Sequence, residues 1–264
     1  MDNRIEKKFF SLREKNKKAF IAFITAGYPS LKLTEEIVYG LEQSGVDLIE
    51  LGVPFSDPLA DGPTIQLSSA KALEKGVNLP KILAMVKKIR IKCDLPIALM
   101  AYYNTVFQYG EEKFVRDCVI SGVDGVIIPD LPPEEGEKLI KHARKHDFAT
   151  VFFIAPNTTT SRIKFIAGMS SGFIYYVSTS GVTGMRKSLP EGLFLNVKRA
   201  KKITKKPICV GFGVSDARQV KQIASVADGV IVGSAIIKTI NANINRKDLA
   251  KIVSLYVKSL KRYI

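Results

Sequence analysis

At 264 residues, with 46% hydrophobic and 25% charged side chains, the chain can bury a large core and suits one large α/β domain or two small ones. Forty Lys and Arg against 25 Asp and Glu give a formal charge of +15, yet the basic pairs are dispersed, Lys-dominated and free of interleaved aromatics, which favours a solvated exterior over a nucleic-acid surface. No apolar run reaches the roughly 18 residues of a membrane span, residues 1–8 carry no apolar signal region, and Cys93, Cys118 and Cys209 are too scattered for a disulfide framework or a zinc site. The expectation is a reduced, cytoplasmic protein with no membrane and no nucleic-acid partner.

In chain order, Ile5, Phe9 and Leu12 make the apolar stripe of an N-terminal helix. Eight short apolar runs follow, at 19–25, 47–51, 96–102, 125–129, 149–154, 172–178, 207–211 and 229–233, each closed by Gly, Pro, Asn or Asp and succeeded by a longer stretch of helical period. Most are apolar throughout, as buried parallel strands are, and parallel strands require crossover helices. About 33 residues per unit and a length near the roughly 250 residues usual for the fold predict a (β/α)8 TIM barrel, an α/β fold, with an additional N-terminal helix. Ser44-Gly45-Val46-Asp47 recurs as Ser121-Gly122-Val123-Asp124, each Gly suiting a helix stop before the next strand. Leu249, Ile252, Val253, Tyr256 and Leu260 mark a final helix, and nothing suggests a domain boundary within 1–264.

In such a barrel, chemistry belongs at the C-terminal ends of the strands. Alternation in Asp47-Leu48-Ile49-Glu50-Leu51 turns Glu50 inward, where partial desolvation raises a carboxyl pKa towards proton-shuttling range. The loop after it, 52–63, supplies a second carboxylate, Asp57 or Asp61; the Ser-Asp-Pro context makes Asp57 the better turn residue, and spacing alone does not choose. Three Gly-rich stretches, 180–186, 211–215 and 233–235, follow consecutive predicted strands and point to a phosphorylated small molecule. Phe23, Met100, Tyr102, Tyr175 and Tyr176 are candidates for the walls of an apolar pocket. No Lys lies in a predicted strand, so a Schiff base has no obvious nucleophile. His142 and His146 sit at i, i+4 on a basic helix without a supporting carboxylate, so no metal site is expected. Cys209 reads as core packing.

The segments 23–29, 49–63, 181–184 and 211–213 together resemble the alpha subunits of tryptophan synthase, over essentially the whole chain and most specifically from Glu50 to Pro63. The resemblance implies cleavage of indole-3-glycerol phosphate to indole and glyceraldehyde 3-phosphate, without a cofactor, and a beta-subunit partner in an alpha2-beta2 hetero-tetramer. It implies Glu50 and Asp61 as the catalytic carboxylates and Tyr176 near the reacting atoms. Phe23, Met100, Tyr102 and Phe212 would wall the indole site, Gly184, Gly213, Gly233 and Ser234 would hold phosphate, and Thr183 would also bind substrate. Pro54, Asp57, Pro58, Asn104 and Phe107 would meet the beta subunit. Pro129 and Thr105 stand where familiar members carry other small or apolar residues.

Overall fold

In a computed structural model, which describes residues 3–177, 189, 192–211 and 213–264, nine parallel strands run in the order β5-β4-β3-β2-β1-β9-β8-β7-β6. They are β1 (Ala19–Thr25), β2 (Leu48–Gly52), β3 (Ile97–Met100), β4 (Gly125–Ile127), β5 (Ala149–Val151), β6 (Phe153–Ile154), β7 (Ile174–Val177), β8 (Ile208–Gly211) and β9 (Gly229–Val232). The expected eight runs are all present, and the ninth strand arises because the fifth run is divided at Phe152. Its first half pairs with β4 and its second with β7, so β5 and β6 form one stave that closes the barrel. Across the seam, Thr150 O accepts from Ser171 N at 2.8 Å and Phe152 O from Tyr175 N at 3.0 Å.

Every residue of β1, β2, β8 and β9 is buried, as expected of strands that face side chains inside the barrel and helices outside it. The outer helices start where the sequence provides caps. Ser30 accepts from Leu33 N ahead of α2 (Leu31–Gln43), Asn78 from Lys81 N ahead of α4 (Leu79–Ile89), and Asp216 from Gln219 N ahead of α10 (Ala217–Ala224). The repeated Ser-Gly-Val-Asp unit behaves alike at both places: Gly45 and Gly122 adopt φ of +81° and +89°, the left-handed conformation that stops a helix and returns the chain to the sheet.

The two peripheral helices are where the apolar stripes placed them. In α1 (Arg4–Glu14), Ile5, Phe9 and Leu12 are buried against the N-terminal end of the barrel. Asn3 holds this helix down, donating to Asp124 O and Asp147 O at 2.7 Å each. In α12 (Leu249–Lys261), Leu249, Val253, Val257 and Leu260 are buried; Val257 takes the inner position, and Ile252 and Tyr256 flank the stripe half-buried. The chain also forms helices at the C-terminal end of the barrel that were not expected, including α3 (Pro63–Glu74), started by Pro63 in its first turn, and α5 (Tyr103–Tyr109).

Three carboxylates close the N-terminal ends of the strands. Asp47 Oδ2 accepts from Phe20 N at 2.8 Å and pairs with Lys261. Asp124 Oδ2 accepts from Ile97 N at 2.8 Å and Arg90 Nη2 at 2.7 Å, and its Oδ1 from Arg4 Nη1 at 3.1 Å. Asp228 Oδ2 accepts from Ile208 N at 3.0 Å and its Oδ1 from Lys201 Nζ at 2.6 Å. Each thus takes the first unpaired N–H of a strand and a cation together.

Candidate active site

Glu50 sits in β2, in register with Phe23 of β1 and Ala98 of β3. Strand alternation sends Leu48 and Glu50 inside the barrel and Ile49 and Leu51 beneath the helices. The Glu50 side chain is 1% exposed, and neither carboxylate oxygen has a hydrogen-bond partner among the described residues. Burial, reinforced by the nearby negative charge of Asp61, pushes its pKa up to about 8.

Asp61 faces the same space from the end of the loop that follows β2, and it is 4% exposed. Its Oδ2 accepts from the Tyr102 hydroxyl at 3.0 Å, while Oδ1 has no partner among the described residues. Burial raises its pKa to about 6 against the opposing pull of the Tyr102 hydrogen bond. The loop is pinned on both sides of Asp61: Tyr102 Oη accepts from Ala60 N at 3.0 Å, Gln66 Nε2 donates to Asp61 O at 2.9 Å, and the Tyr102 ring stacks on Phe55 at 5.1 Å. Asp57, in contrast, is exposed and accepts from its neighbour Ser56 at 2.6 Å, a turn arrangement. Geometry therefore separates the two aspartates that spacing left open.

The carboxylates open into a small cavity of about 30 Å³ among the described residues, at the C-terminal end of the barrel. Phe23 and Met100 line it as expected, and Ile65, Val214 and Ile231 do so without having been singled out. Nothing in the uniformly apolar run 229–233 distinguishes the inward Ile231 from its neighbours. Tyr102, expected as a wall residue, is not among the residues that line the cavity; its hydroxyl holds the Asp61 loop instead. Gly213, Gly233 and Ser234 lie at one edge, where α11 (Ser234–Ala242) begins. The first N–H groups of a helix lack intrahelical acceptors and carry partial positive charge, so this edge is suited to an anion.

One expectation is corrected. Tyr176 is not on the cavity: Tyr175 lines it, and the charges of Glu50 and Asp61 act on the Tyr175 hydroxyl, whereas Tyr176 is influenced by Asn196 and Arg199 of α9 (Leu193–Ile203) on the outside. Adjacent strand residues point to opposite faces, so the inward tyrosine is one position earlier. The backbone is shaped around it, since a Cβ on Gly211 would lie 2.3 Å from the Tyr175 hydroxyl oxygen.

Thr183, Gly184 and Phe212, with most of the Gly-rich stretch 180–186, lie outside the described residues. Asp57, Asn104 and Phe107 are exposed at the cavity end of the barrel, Pro58 is half-buried and Pro54 is buried. Leu59 and Phe107, 84% and 61% exposed, add apolar surface there; the unpaired exposure of Leu59 gave no signal in the sequence. His142 and His146 are in and just beyond α7 (Glu137–Lys145), and among the described residues no group of three or more His, Cys, Asp or Glu is placed to hold a metal. Among them, too, no helix is long and apolar enough to cross a membrane.

The family model of the tryptophan synthase alpha chain matches residues 9–264. The tryptophan synthase alpha chain of Geotalea daltonii is 50% identical over 258 residues, covering 98% of this chain and 97% of that one. Its counterpart from Thermoanaerobacter sp. is 44% identical over 262 residues, covering 99% and 100%. Among solved structures, the alpha subunit from Legionella pneumophila superimposes with a TM-score of 0.93 at 34% identity, covering 100% of this chain and 99% of that one. Tryptophan synthase of Mycobacterium tuberculosis gives 0.91 at 35% identity, with the same coverage.

Proposed function

The chain belongs to the tryptophan synthase alpha chain family, a lyase of indole-3-glycerol phosphate in tryptophan biosynthesis, and from that premise we propose that Glu50 and Asp61 carry the proton transfers of the cleavage. What supports this most is the buried, unpartnered Glu50 facing Asp61 across the cavity. With a pKa near 8, Glu50 holds a proton at neutral pH, and Asp61, near 6, is mostly ionised. Glu50 gives its proton to C3 of the indole ring, which interrupts the ring's aromaticity and places positive charge on the N1=C2 unit. Asp61 accepts the N1–H hydrogen bond and stabilises that charge. The Glu50 carboxylate then takes the proton of the hydroxyl on the carbon bonded to C3. As the carbonyl forms, the C3–carbon bond breaks and its electron pair restores the indole. The leaving fragment is glyceraldehyde 3-phosphate.

This sequence needs neither a Schiff base nor a bound cation, because the substrate's own ring is the electron sink. Tyr175, beside the two carboxylates, takes the place in the site first read for Tyr176. Phe23, Met100, Ile65 and Ile231 supply apolar contact for the ring, and the edge formed by Gly213, Gly233 and Ser234 supplies N–H groups for the phosphate. Thr183, Gly184 and Phe212 complete that set on family resemblance alone. Indole passes to a beta subunit. Pro54, Asp57, Pro58, Asn104 and Phe107 contribute to its contact, in an alpha2-beta2 assembly placed in the cytoplasm, with 1–264 as one barrel domain. Glu50→Gln keeps shape and loses the transferable proton, so indole release falls by about 10²–10⁴ while affinity for a non-cleavable substrate analogue stays within about threefold. Near-normal turnover from the folded variant would end the assignment.

A further inference from the structure

A cleft of about 880 Å³ lies at the opposite end of the barrel from Glu50, between α1 and the turn that leads into β8. Its floor is apolar, with Phe9, Leu12 and Pro207, and Phe10 stands 49% exposed at its edge. Its rim is cationic. Of the two carboxylates that line it, Glu6 accepts from Gly172 N at 3.3 Å, and Asp228 accepts from Ile208 N while pairing with Lys18 and Lys201. Arg13, Lys17, Lys205 and Lys206 also line the cleft, and none of them has a carboxylate partner among the described residues. The chain places them there deliberately at one point: α1 ends with Asn16 in the left-handed conformation (φ 51°), and Lys17 N donates back to Leu12 O at 2.8 Å, which turns Lys17 and Lys18 over the opening.

We propose that this cleft binds a small molecule joining a flat apolar body to two or more negative charges, the chemistry of a nucleoside polyphosphate. The volume falls within the range of small-ligand sites. Four cations without a carboxylate partner among the described residues provide the charge complement, and a partly enclosed apolar floor strengthens their field. The Arg13 guanidinium already lies over the Phe10 ring, 5.8 Å from its centroid, so a second flat group can stack against the same pair. A bare inorganic anion would leave that floor unused. An extended acidic polypeptide would follow the rim and bury little of the cleft's depth. The site is independent of the proposed catalytic roles, because it shares no lining residue with the cavity at Glu50.

The test is a fluorescence titration of the full chain with trinitrophenyl-ATP at about physiological ionic strength. Saturable binding of one probe per chain is expected, undisturbed by glycerol phosphate at concentrations that fill the catalytic site. In the double variant Lys17→Glu/Lys205→Glu, both exposed positions, affinity should fall about tenfold or more while indole formation and thermal unfolding stay unchanged. Arg13→Glu, at the exposed end of α1, provides the same test should the double variant not fold. Inorganic tripolyphosphate should compete at least about tenfold more weakly than ATP. The proposal is overturned by absence of saturable binding, by equal affinity in the folded variants, or by competition from glycerol phosphate. Tripolyphosphate equal to ATP, or polyglutamate competing better than either, would likewise replace it with a plain anion site or a peptide surface.

Discussion

The two ends of this barrel handle their carboxylates in opposite ways. At the N-terminal end, Asp47, Asp124 and Asp228 each accept a strand N–H and a Lys or Arg, so every charge has a counter-charge and every ladder a finished first rung. At the C-terminal end, Glu50 has no partner on either oxygen and Asp61 leaves one oxygen unpaired among the described residues. An uncompensated buried carboxylate is destabilising and answers by raising its pKa. The same functional group therefore secures the scaffold at one end and stays chemically available at the other, and the difference lies in what surrounds it rather than in its identity.

The strongest way to break the contrast is to impose the C-terminal condition on the N-terminal end. Asp124→Ala strands Arg90, which is 10% exposed at its side chain, and leaves Ile97 N without its acceptor. Urea unfolding should show a loss of about 3–5 kcal/mol, with turnover per folded molecule retained. A smaller effect, in activity rather than stability, separates the two tyrosines. Tyr175→Phe should lower the cleavage rate by about tenfold or more, and Tyr176→Phe by less than about threefold; the reverse order in steady-state assays would return the role to Tyr176.

Acidity gives a finer readout. The rate at low substrate should rise as Asp61 ionises near 6 and fall as Glu50 loses its proton near 8, a bell whose acid limb moves up in Tyr102→Phe, because that hydroxyl lowers the Asp61 pKa. The same titration leaves a trace on stability. Glu50 has a raised pKa when folded, so between its ordinary 4.5 and about 8 the unfolded chain has released a proton that the folded chain still holds, and folding stability declines as pH rises through that window. Glu50→Gln should flatten that slope in denaturant titrations across the window. An unchanged slope would place the titration elsewhere.

Much of this was visible in the sequence. Apolar runs at near-regular spacing specify the staves, and alternation around Glu50 is readable because Ile49 and Leu51 bracket the one charged residue of an otherwise apolar run. The run 172–178 offers no such contrast: two tyrosines follow one another among apolar residues, and only the register of β7 with β6 and β8 decides which faces in. Spacing alone did not separate Asp61 from Asp57; in the fold Asp61 is held by Tyr102, 41 positions away, and the pairing of Asp47 with Lys261 spans 214 positions. Local periodicity carries no information at such separations. The division of the fifth stave is likewise a property of closure, where one strand must serve neighbours on both sides.

Gly211 ties two positions together. A methyl group there would meet the Tyr175 ring at 2.7 Å, as one on Gly52 would meet the Phe23 ring at 2.7 Å. Neither glycine can accept a side chain while its aromatic neighbour stays in place, and shrinking the aromatic first makes room. The order of change is therefore asymmetric. A lineage or a design campaign that enlarges 211 must already have given up the tyrosine, so the residue at 211 records whether position 175 still has a ring turned towards the cavity.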